Sequence, residues 1–78
     1  MALYFFDFFD TQDGTYPDPE GTELPDRDAA RDEAVFALTG LVNDIKPHGP
    51  HRKLQLKVRD SQGRDIWQVS VQFDVQPL

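Results

Sequence analysis

DPEGTELPDRDAARDEAVFALTGLVNDI, Asp18 to Ile45, is a turn-rich leader feeding the one convincing helix of the chain. Pro25 fixes its own φ and biases Leu24 toward an extended conformation. Asp26 then has a side-chain oxygen free to cap the first turn. Asp28, Asp32 and Glu33 sit early, where the helix dipole favours negative charge. Lys46-Pro47 is the stop signal. The predicted helix runs from about Arg27 to Ile45.

At 100° per residue, Ala30, Ala34, Val35, Ala37, Leu38, Leu41, Val42 and Ile45 share an arc roughly 160° wide, the pattern of a helix lying on a sheet. Asp32, Glu33, Thr39, Asn43 and Asp44 face the other way, toward water. Phe36 breaks this order, because it projects from the polar side. Gly40, four residues on, lies beside it. A glycine inside a helix costs about 1 kcal/mol relative to alanine. A ring next to a missing side chain reads as a docking point. The residues leave three outcomes open: a subunit interface, cover by the chain's own loop through Tyr16, or plain exposure.

Outward from the helix, the flanking segments read as strands. Leu3 to Phe9 alternates Tyr4, Phe6 and Phe8 with Leu3, Phe5, Asp7 and Phe9, so both faces are largely apolar. One helix covers one face, and the second needs the Tyr16 loop or another subunit. Asp13-Gly14 signals a turn, after which Thr15 and Tyr16 pair briefly with the first strand before Pro17 and Pro19. Lys53 to Asp60 and Asp65 to Val75 alternate cleanly, as in a half-buried antiparallel pair. Asp60-Ser61-Gln62-Gly63-Arg64 joins them as a tight hairpin with Gly63 left-handed. The expected fold is α+β: a three- or four-stranded antiparallel sheet with one helix on one face, in the order β-β-α-β-β.

At 78 residues the chain is one small domain, and a domain of this size buries only about 60% of its unfolded surface. It has no cysteine, hence no disulfide framework, no zinc-thiolate site and no thiol nucleophile. No run approaches the ~20 apolar residues of a membrane span. MALYFFDFF is broken by Asp7 and Asp10 and lacks a basic flank, so it does not read as a signal peptide, and a bacterial cytoplasmic protein is expected. Residues 1–44 hold eleven acids and two bases, and residues 45–78 three acids and six bases, for a net charge of −6. That balance argues against nucleic-acid binding, which needs a basic footprint.

The chemistry-bearing residues are few. Asp10, Asp13, Asp18 and Glu20 form an acidic segment that suits a basic protein partner, but it lacks the alternating acids of a calcium loop. The plain alternative is a solvated loop of Asx-turns. His48 and His51 make an H-x-x-H pair without a third ligand, a poor metal site. Lys53, Lys57 and Arg59 form a basic row without interleaved exposed aromatics, the kind of row that protects an outer strand. Ser61 and Ser70 lie in no nucleophile elbow, and no glycine-rich phosphate loop precedes the helix. No catalytic residue, metal or cofactor is expected.

Tyr4-Phe5-Phe6-Asp7, Asp18-x-Glu20-Gly21-Thr22-Glu23-Leu24-Pro25-Asp26, Ala29-Ala30-x-x-Glu33-Ala34 and Val58-Arg59-Asp60-x-x-Gly63-Arg64, in this order, resemble a family of short bacterial proteins that carry only a domain-of-unknown-function label. The resemblance spans nearly the whole chain and implies no activity, cofactor or partner. His48, His51 and the Phe8-Phe9 pair fall outside the pattern. A fainter likeness is to HicB-like antitoxins, which also run a strand, an acidic leader and a helix; the chain departs from them in lacking a DNA-reading element. The function expected from the residues is a non-catalytic interaction module, a homodimer with Phe36 and Gly40 or Phe5 and Phe9 in its interface. The alternative is an antitoxin-like regulator whose acidic half binds a basic protein.

Overall fold

A computed structural model describes residues 1–44 and 49–78. The expected positions of Ile45 and His48 therefore lie outside the described residues. The chain runs β1 (Ala2–Asp10), β2 (Gly14–Tyr16), β3 (Thr22–Leu24), α1 (Arg27–Asp44), β4 (His51–Arg59) and β5 (Asp65–Asp74). The fold is α+β, with five strands in one antiparallel sheet of order β2-β1-β4-β5, β3 also pairing with β1. The additional strand comes from the leader: Thr22-Glu23-Leu24 pairs with Tyr4-Leu3-Ala2. Three residues with one apolar side chain carry no periodic signal, and the pairing is imposed by the neighbouring strand.

The local signals act as their chemistry dictates. Asp26 Oδ1 accepts the N–H of Ala29 at 2.8 Å and caps α1. Gly14 adopts φ 96° at the β1–β2 turn, where Phe8 faces Tyr16. Gly63 adopts φ 82°, and its N–H donates to Asp60 O at 3.0 Å, which closes the β4–β5 hairpin.

The core lies between α1 and one face of the sheet. Tyr4, Ala30, Ala34, Leu56 and Val58 are buried together, with Phe6, Phe8, Trp67 and Val69 packed around them. The helix rests on a narrower line than the expected arc. Ala30, Ala34 and Leu38 are buried at i, i+4 spacing, whereas Val35 is 48% exposed. The reason is topological: Val35 follows Arg31 by one turn, and the Arg31 guanidinium lies 5.9 Å from the Trp67 ring on β5. Among the described strands β5 pairs only with β4, so no strand lies beyond it to cover that flank.

Candidate interaction surfaces

The face of the sheet away from α1 mixes Phe5 and Phe9 with charged side chains and is cross-linked by an ion pair. Phe5 faces Arg59 across β1 and β4, and the Arg59 guanidinium lies over the Phe5 ring at 4.7 Å. From there Arg59 grips the Asp7 carboxylate, with Nη2 donating to Oδ1 at 3.1 Å. These bonds hold the Asp7 carboxyl below its ordinary range. Asp7 Oδ1 also accepts the N–H of Asp18 at 3.0 Å, which ties the leader to the strand.

Asp18 is the hinge pin of the leader. Its Oδ1 accepts the N–H groups of Glu20 and Gly21, each at 3.1 Å, and its Oδ2 accepts the N–H of Phe6 at 3.1 Å. Burial pushes this carboxyl up, but the N–H groups of Gly21, Phe6 and Glu20 outweigh it, and it sits below its ordinary value. The leader then passes close over the strand: a methyl group on Gly21 would come within 3.0 Å of the Phe5 ring and 3.1 Å of Leu3. Phe5 is thus half-buried by Gly21 and Arg59. Phe9 is 38% exposed and lines a shallow cleft of about 280 Å³ with Asp7, Thr15, Gln55 and Lys57.

Asp10 and Arg52 pair at the far end of the helix-side face. Arg52 Nε donates to Asp10 Oδ1 at 3.1 Å, and both side chains are buried. Arg52 holds the Asp10 carboxyl below its ordinary range. Asp10 is 1% exposed, so it cannot belong to a surface that contacts a partner. Of the four acids expected to make that surface, Asp13 and Glu20 stand exposed, Asp10 is inside, and Asp18 is turned onto the backbone. Burial of Asp10 at the end of β1 and bonding of Asp18 in the leader leave no periodic mark, which is why composition alone placed these two at the surface. The flanking prolines, Pro17 and Pro19, were the available sign that Asp18 is held.

The basic row is likewise redistributed. β4 lies inside the sheet, between β1 and β5, so its lysines do not guard an edge. Arg59 belongs to the Asp7 pair, and Lys57 is exposed. His51 is exposed and bonds Asp74 at 2.8 Å. Among the described residues no three His, Asp or Glu side chains converge on a metal position. No helix among them is long and apolar enough to cross a membrane.

The outer side of α1 carries the most exposed ring. Phe36 is 76% exposed, and the space beside Gly40 is open. Tyr16 does not cover it; Tyr16 stacks instead on Phe8, ring centroids 6.1 Å apart. The structure therefore resolves the fate of Phe36 within one chain as exposure.

Residues 3–72 match the sequence pattern of a family described as a domain of unknown function, DUF6894. No curated protein matches the chain, and no solved structure does.

Proposed function

The chain belongs to the DUF6894 family, a domain of unknown function, and from that premise we propose that it is a non-catalytic protein-interaction module of the bacterial cytoplasm that self-associates. The observation that carries this reading is Phe36, a ring 76% exposed on a small domain. Burying one Phe side chain is worth about 2 kcal/mol, and a domain this small gains stability by association. Asp32 and Glu33, four and three residues before it on the same helix, are exposed as the ring is.

The rival reading, an acidic half that captures a basic protein, keeps only Asp13 and Glu20 of its four residues at the surface. Self-association is the better supported of the two. Sedimentation equilibrium of the purified chain over a range of concentrations tests it. A concentration-dependent dimer is expected at low and moderate salt alike. A monomer at every concentration overturns the reading.

A further inference from the structure

If the chain self-associates, the sheet has one edge suited to it. The β2/β3 edge is closed: two three-residue strands flank Pro17-Asp18-Pro19, and the Asp18 carboxylate occupies the N–H of Phe6. Among the described residues the β5 edge has no such block. Ile66 to Phe73, IWQVSVQF, has no charge, proline or glycine, in a chain of net charge −6. Two like-charged copies meet here with the least repulsion.

The backbone decides which groups face outward. The Val75 N–H donates to Pro50 O at 2.8 Å, continuing the register in which His51 faces Asp74. Bonding alternates along an antiparallel ladder. Val69, Val71, Phe73 and Val75 therefore turn their backbone groups toward β4, and Gln68, Ser70, Gln72 and Asp74 turn theirs to the open edge. The irregularity opposite Val58 and Arg59 ends this alternation at Ile66. The outward set is symmetric about Val71.

We propose that two copies of this chain pair antiparallel along β5, with Val71 on the two-fold axis, forming one continuous sheet with both helices on the same side. This rests on the reading that the chain self-associates, but not on Phe36 as the contact: it places the seam at β5 and leaves the Phe36 ring outside it. In this register Ser70 faces the partner's Gln72, and Asp74 faces the partner's Gln68, so no acid opposes an acid. On the helix side Phe73 meets the partner's Val69. Val75, 58% exposed in one chain, meets the partner's Trp67. Arg31 of α1 lies over the Trp67 ring on this same side of the sheet.

The chain has no cysteine, so Val71→Cys introduces a single thiol. On the axis the two thiols oppose each other in a non-hydrogen-bonded pair, about 4.5 Å between Cα atoms, within disulfide reach. Val71→Cys is expected to cross-link as a dimer under mild oxidation, and Phe36→Cys is not. Ser70→Pro removes an outward donor without touching the β4 ladder. It is expected to weaken dimerisation at least about tenfold, roughly the loss of one or two hydrogen bonds, with an unchanged circular dichroism spectrum. A dimer that survives Ser70→Pro and cross-links through Phe36→Cys instead of Val71→Cys overturns the β5 seam and leaves self-association standing. A wild-type monomer at all concentrations overturns both.

Discussion

Asp18 Oδ2 accepts the N–H of Phe6 at 3.1 Å, in the gap of β1 between the residues paired with β3 and those paired with β2. One carboxylate thus stands in for a missing strand. Its other oxygen accepts the N–H groups of Glu20 and Gly21 and shapes the turn that leads into β3. Asp18→Ala leaves these donors to water or unpaired, and is expected to destabilise the domain by about 2 kcal/mol. Asp18→Asn keeps one acceptor oxygen and should lose less. Urea unfolding of the two variants checks the order; equal losses would mean that the oxygen kept in Asp18→Asn contributes nothing.

The pH dependence of stability follows from the same aspartates. Asp7, Asp10 and Asp18 all lie below the ordinary value of 3.8 in the folded chain. A lowered folded pKa means that the unfolded chain binds protons first as pH falls. The stabilisation is therefore complete above the unfolded value, and is lost as pH drops from there through the folded values. Unfolding free energy should be flat with respect to these groups near neutrality and fall steeply below about pH 4. Asp7→Asn and Asp10→Asn should each flatten that fall, measured by urea titration at a series of pH values.

The buried pair makes a separate prediction. Asp10→Ala takes from the buried Arg52 guanidinium its buried partner and leaves it the exposed Asp13 carboxylate at 3.5 Å among its other contacts. A loss on the order of 3 kcal/mol is expected. Adding Arg52→Met removes the buried charge that has lost its main partner and should recover part of that loss. Thermal unfolding of the single and double variants gives the comparison; a double variant less stable than Asp10→Ala alone would show that Arg52 stabilises the fold through its packing or other contacts rather than through this pair.

The elements with strong periodicity were legible in the chain itself. Alternation in Lys53–Asp60 and Asp65–Val75, the Asp26 cap and the Gly63 turn each express a local rule, and local rules are written in consecutive residues. What was not legible depends on neighbours distant in sequence. β3 exists because Ala2–Tyr4 offers it an edge. Asp10 is inside because Arg52, 42 residues away, meets it there. Val35 is exposed because β5 is the last described strand on that side, a fact of strand order that no helical periodicity contains.

Phe36 gives the most direct test of the outer helix surface. The ring is 76% exposed in one chain, so Phe36→Asp should leave the unfolding free energy within about 0.5 kcal/mol of the parent. If association uses this surface, the same substitution weakens it, read by sedimentation equilibrium. A large loss of stability without a change in association would make the ring part of the core and remove it from any interface.

Gly40 separates the two roles of that helix face. An added Cβ at Gly40 meets nothing within 4 Å, and the residue lies inside α1. Gly40→Ala should therefore stabilise the single chain by about 1 kcal/mol, through helix propensity alone. The open space beside Phe36 is useful only if something enters it. Where a second copy packs against Phe36, the added methyl fills that space and weakens association while stability rises. Where the copies meet through β5, the same methyl raises stability and leaves association unchanged. Urea unfolding and sedimentation of this one variant, read together, distinguish a glycine kept for an interface from one that merely weakens its helix.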